Sequence, residues 1–83
     1  MKLAYQEQIR QIGLNICYYR RYRKLTQIQL AERVNISSCY LSQIERGLLK
    51  STVSLPVLIA IADALGINIA VLFEFHKLSD SSR

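Results

Sequence analysis

The sequence lacks most of what an enzyme, a membrane protein or a disulfide-stapled domain needs. It has no paired carboxylates at catalytic spacing, no nucleophile–base arrangement, no glycine-rich phosphate loop and no zinc-ligand spacing. Its one histidine, His76, stands alone near the tail and reads as a surface residue. These absences argue against catalysis and against a metal or other cofactor. No stretch of about 18 apolar residues runs without charge, so no membrane span is expected. The N-terminus has no signal-peptide pattern, which leaves the cytoplasm as the expected compartment. Cys17 and Cys39 form neither a metal pair nor a disulfide framework, and a reducing cytosol keeps them as thiols. Cys39 as an oxidation sensor is outweighed by Cys39 as a small side chain on a helix surface. There is no Pro/Gly-rich linker, no low-complexity segment and no internal repeat. The 83 residues therefore make one domain, residues 1–78 with a core over about 9–75, and a Ser-rich, disordered tail over 79–83.

What is present is uneven charge. Residues 1–50 carry nine Lys/Arg and three Asp/Glu, a net of +6, whereas residues 51–83 carry two and three, a net of −1. A basic half joined to a near-neutral half suggests one face for a polyanion and one for packing, although a solvated basic helix has the same composition.

The apolar pattern has helical period throughout. Ile9, Ile12, Ile16 and Tyr19 recur at three or four, as do Leu30, Ala31 and Val34, then Leu41 and Ile44, then Leu55, Leu58, Ile61, Ala62 and Leu65. No long stretch alternates by two as a strand would, so the fold class is all-α. Four helix starts share one signature: a polar cap with an apolar residue before it and another four residues after it. They are Leu25/Thr26/Leu30, Ile36/Ser37/Leu41, Val53/Ser54/Leu58 and Ile67/Asn68/Leu72. Gln29 completes a capping box with Thr26. Gly47 and Gly66 mark stops, and Pro56 falls in a first turn where its missing N–H does little harm. The spacing predicts five helices, over about 5–23, 27–34, 38–46, 55–65 and 69–75.

Only Asn35, Ile36 and Ser37 join the second and third helices, so the pair must cross steeply, as a helix-turn-helix does. Asn35 suits a left-handed backbone at that exit. On the third helix Tyr40, Leu41 and Ile44 point inward. Ser38, Cys39, Ser42, Gln43 and Arg46 point outward. A small, polar outer face fits a DNA major groove, although polar outer faces are also the norm for surface helices. Gln43 can make paired hydrogen bonds to an adenine edge, and Ser37 and Ser38 can reach a base or a phosphate. With Cys39 and Ser42 these are the candidate base contacts. The flanks add candidate phosphate contacts: Arg23 and Lys24 at the end of the first helix, Gln27 at the start of the second, Arg46, and Lys50 after the third.

These residues resemble the lambda-repressor-like, Xre/Cro-type helix-turn-helix family. The similarity runs from Ile12 to Phe73. Its pieces are Ile12-Gly13, Arg20, Leu25-Thr26-Gln27, Leu30-Ala31-Glu32, the run Tyr40–Gly47, Ser54-Leu55, the run Ile61–Gly66, and Leu72-Phe73. The resemblance implies a five-helix domain that binds DNA as a homodimer. It places a phosphate contact at Gln27, base readers at Ser37, Ser38, Cys39 and Gln43, and a structural ion pair between Arg20 and Glu45. The chain departs from the family pattern at Asn35, where a glycine is usual, and between Gly47 and Ser54, where it is about two residues longer.

The last helix and tail are unusually apolar. Leu72, with Ile69, is expected to close the core, and Ile67, Ile69, Val71, Phe73 and Phe75 form a candidate dimer interface. The expected function is a sequence-specific transcriptional regulator, repressor or autoregulator, that binds a palindromic double-stranded DNA operator as a homodimer. The alternative is a helical protein–protein module, with a protein partner and no base reading; the apolar C-terminus favours it and the basic stripe opposes it.

Overall fold

The computed structural model describes residues 3–48 and 53–74. Five helices follow in order: α1 (Leu3–Tyr22), α2 (Gln27–Val34), α3 (Ser38–Arg46), α4 (Leu55–Leu65) and α5 (Ile69–Leu72). Lys50, Phe75, His76 and the 79–83 tail lie outside the described residues. Among the described residues no helix is long and apolar enough to cross a membrane.

The helix starts form by local hydrogen bonding. The side chains of Thr26, Ser37, Ser54 and Asn68 accept backbone N–H groups of Gln29, Tyr40, Val57 and Ala70 at 3.0, 3.0, 3.4 and 2.8 Å. Gln29 Oε1 in turn accepts the Thr26 N–H at 2.9 Å, closing the capping box. In each apolar pair the leading residue is half-buried and the trailing one, Leu30, Leu41, Leu58 or Leu72, is buried.

Four helices end in one way. Lys24, Asn35, Gly47 and Gly66 each take a left-handed backbone, at φ 59, 61, 67 and 72°. The following N–H then reaches back five residues, as Leu25 to Arg20, Ile36 to Ala31, Leu48 to Gln43 and Ile67 to Ala62. Lys24 has no glycine or asparagine signal and escapes sequence reading.

The core is built from Ile16, Leu30, Leu41, Ile44, Leu58, Ile61, Leu65 and Leu72, all buried. Leu55 departs from the predicted core stripe: it is 57% exposed. It stands in the first turn of α4, on the same face as the buried Leu58 and Ala62, so its place at the end of the helix and not its rotation leaves it outside the core. Ile59, one turn on, is exposed beside it.

α1 begins at Leu3 rather than 5 and ends at Tyr22 rather than 23. α5 is shorter than the predicted 69–75, stopping at Leu72. A buried side chain on α1 accounts for this. Asn15 Nδ2 donates to the Leu72 and Glu74 carbonyls, both at 2.9 Å, and holds the chain in a non-helical exit. Gly13 serves the other side of α1. A Cβ there would overlap the Ile44 carbonyl oxygen and lie 2.7 Å from that of Glu45, so its absence lets α1 cross directly over the end of α3.

Two outcomes follow for stability. Gly13→Ala should lower the melting temperature, although alanine favours an isolated helix by about 1 kcal/mol, because the overlap costs roughly 1–3 kcal/mol. Asn15→Ala should cost about 1–3 kcal/mol for two lost hydrogen bonds, or a melting shift of roughly 4–20 °C. Thermal and urea denaturation measure both.

Candidate nucleic-acid interface

α3 is nine residues long and presents two unlike faces. Leu41, Ile44 and Glu45 are buried and Tyr40 is half-buried. Ser38, Cys39, Gln43 and Arg46 are exposed, and Ser42 is half-buried rather than fully outward. Ser37 is exposed, with its hydroxyl oxygen occupied as acceptor for Tyr40 and its O–H free to donate. The small side chains thus sit at the start of the helix, with the amide of Gln43 one turn on. That arrangement leaves the backbone of the first turn open to close approach.

The roll of α3 is set by Glu45, a carboxylate with almost no exposure. Arg20 Nε donates to its Oε2 at 2.7 Å and Arg20 Nη2 to its Oε1 at 3.1 Å. Gln27 Nε2 donates to the same Oε1 at 3.0 Å. The other guanidinium nitrogens have further partners: Nη1 reaches the Leu25 carbonyl at 2.8 Å and Nη2 lies 3.7 Å from Cys17 Sγ. One carboxylate therefore ties α3 to α1 and to the first residue of α2, and Arg20 extends the link to the turn before α2. Among the described residues no buried side-chain polar atom lacks a partner. Donating to the Glu45 carboxylate raises the Arg20 guanidinium above its ordinary value, against the opposing effect of burial. A raised cation contributes its stability below the ordinary arginine value and loses it only as pH climbs beyond, so Arg20 holds its charge through the physiological range.

The flanking residues divide. The Gln27 amide is engaged by Glu45, and the free N–H groups at the start of α2 remain beside it. Lys24 and Arg46 are exposed. Arg23 turns away from this group to the end of α4: its Nε donates to the Leu65 carbonyl at 2.8 Å, and its guanidinium lies 5.5 Å from the Tyr22 ring centre. Ile67 and Ile69 are half-buried against the core, Val71 is half-buried and Phe73 is 41% exposed. Among the described residues no group of three His, Cys, Asp or Glu side chains gathers where an ion would sit.

Sequence reading missed Asn15, the Gln27–Glu45 contact and the outward pair Leu55 and Ile59. For Asn15 a signal existed: a polar residue set inside the Ile12, Ile16, Tyr19 stripe. For the others the direction of the side chain decides, and that is tertiary.

Glu45→Gln should destabilise the fold by about 3–5 kcal/mol, because it leaves Arg20 buried without its counter-charge. Arg20→Met should cost a similar amount. The double variant should lose less than the two singles added, since neither charge is then stranded. A urea-denaturation cycle measures the coupling.

Comparison with known proteins agrees with this geometry. The family model for helix-turn-helix, HTH_3, matches residues 18–72. An immunity repressor protein of Bacillus phage phi105 is 46% identical over 61 residues, which is 74% of this chain; the chain spans only 41% of that protein. The crystal structure of the restriction-modification controller protein C.AhdI from Aeromonas hydrophila is 29% identical, with a TM-score of 0.73, covering 78% of this chain and 96% of that one. The biofilm master regulator SinR, solved in complex with DNA, is 30% identical with a TM-score of 0.70, covering 76% and 98%. With the five helices, the inward Arg20–Glu45 pair and a family match over most of its length, the chain belongs to the helix-turn-helix HTH_3 family of lambda-repressor-like, DNA-binding regulators.

Proposed function

We propose that this chain is a sequence-specific transcriptional regulator of repressor type that lays α3 in the major groove of operator DNA. The observation that carries the reading is the outer face of α3. Its first turn is small and exposed, Gln43 stands one turn on, and a buried carboxylate fixes the roll that points them outward. In this reading Ser37, Ser38, Cys39 and Gln43 meet base edges, with the half-buried Ser42 at the margin. Lys24, Arg46, Lys50 and the start of α2 at Gln27 hold the phosphates. Arg23, turned to the end of α4 through its Nε, would reach a phosphate only with its remaining guanidinium N–H groups. The relative named an immunity repressor, and the DNA complex of SinR, support the same assignment.

We further propose that the chain binds an inverted repeat as a homodimer, since a twofold protein matches a twofold site. The contact lies at the C-terminal end of the described fold. Val71 and Phe73 supply most of its surface, with Ile67 and Ile69 partly taken by the core and Phe75 beyond the described residues.

Selection of bound sites from a random duplex pool at two salt concentrations tests the reading. Enrichment of an inverted repeat with half-sites about one turn apart supports it. Salt-sensitive binding without enrichment, or no binding, overturns base reading and turns attention to a protein partner. On the selected site Gln43→Ala should relax preference at one base pair, at a cost of about 1–3 kcal/mol. Arg46→Ala should instead weaken all sequences alike and reduce the salt slope by about one. Titration by fluorescence anisotropy over a salt series separates the two effects.

A further inference from the structure

We propose that the outer face of α1 is a second self-association surface, on which two copies of this chain pack their first helices antiparallel about a twofold axis at Leu14. The face is apolar where a lone surface helix would be polar. Leu14 is 50% exposed, Tyr18 62% and Tyr22 66%. Leu14 and Tyr18 stand two residues on either side of the fully buried Ile16, so they project about 160° away from the core. α3 meets α1 at Gly13, about 100° around the helix from Leu14, so the ridge stands to one side of that junction, and the outward face of α3 lies beyond it. Tyr18 is held edge-on by Tyr19, with ring centres 4.9 Å apart, which lowers the entropy lost when the ridge is covered.

Charge selects the occupant and its direction. Glu7 is the only acid on α1, and it lies seven residues before Leu14; Arg21 lies seven residues after. Both are exposed, and neither has a salt-bridge partner among the described residues. The three positions share one face over about 21 Å of helix. In a parallel pair Glu7 would meet Glu7 and Arg21 would meet Arg21. In an antiparallel pair centred on Leu14, Glu7 meets the partner's Arg21 and Arg21 meets the partner's Glu7. Arg10 then faces the partner's Tyr18, a cation over an aromatic ring, and Leu14 packs on the partner's Leu14. The face is thus complementary to itself under one twofold operation. It shares no residue with the α5 contact proposed above, so the two can fail independently.

Cross-linking of the full chain tests this. In a Cys17→Ser/Cys39→Ser background, Leu14→Cys should form a disulfide-linked dimer under mild oxidation, whereas Gln8→Cys should not. Adding Glu7→Arg should slow the cross-link roughly tenfold by replacing two attractive pairs with repulsive ones. Adding Arg21→Glu to that variant should restore it. Circular dichroism checks that each variant is folded. No cross-link at position 14, indifference to Glu7→Arg, or failure of the double swap to restore the rate overturns the proposal. The DNA reading is untouched by any of these results.

Discussion

A single buried carboxylate organises this domain. Glu45 accepts two hydrogen bonds from Arg20 and one from Gln27, so one side chain of α3 is fixed to α1 and α2 together. A short helix in a small core keeps one soft degree of freedom, rotation about its own axis. Apolar contacts restrain that rotation weakly, because neighbouring methyl groups exchange at little cost. A carboxylate that accepts from three N–H groups restrains it strongly, since any roll strands a buried charge. Gly13 meets α3 at the same place, over the Ile44 and Glu45 carbonyls, and brings α1 close enough for Arg20 to reach. Close approach and ion pairing are therefore one junction. What faces outward on α3 is a consequence of what Glu45 holds inward.

The turns show a matching economy. Leu25 follows the left-handed residue that ends α1 and also precedes the cap that starts α2. Ile36 does the same between α2 and α3, and Ile67 between α4 and α5. One half-buried apolar residue thus closes one helix and staples the next, which is why these connections need so few residues. Between α3 and α4 the two tasks fall to different residues, Leu48 and Val53, and the connection is longer. The steep crossing of α2 and α3 depends on this sharing, because an added residue at Ile36 would separate stop from start.

That local character explains what the sequence reveals. The caps at Thr26, Ser37, Ser54 and Asn68, and the left-handed stops at Asn35, Gly47 and Gly66, follow from bonds between residues at most five apart, and all were legible. The inward Leu41 and Ile44 follow from helical period. What was not legible depends on distant chain. Asn15 ends α5 from 57 residues away. Arg23 looks like a free cation until the Leu65 carbonyl is brought to it. Leu55 fits the apolar stripe by spacing and yet lies outside the core, because the first turn of α4 overhangs it. Ser42 reads as outward on a wheel and is half covered in three dimensions.

The same distinction bears on how charge is read from composition. Nine basic residues in the first fifty suggest a broad polyanion-binding surface. Arg20 is neutralised in place by Glu45, and every one of its nitrogens has a partner within the fold. Arg23 has its Nε bound to a carbonyl at the end of α4. Arg21 is exposed on α1, one residue beyond the inward Arg20. In the proposed complex the cations left for phosphates near α3 are fewer than the count implies, and the backbone N–H groups at the start of α2 would carry a correspondingly larger share. Such groups are fixed in direction by the cap at Thr26, so on a duplex they would orient the domain rather than merely attract it. The capping that builds the turn is then also what aims it.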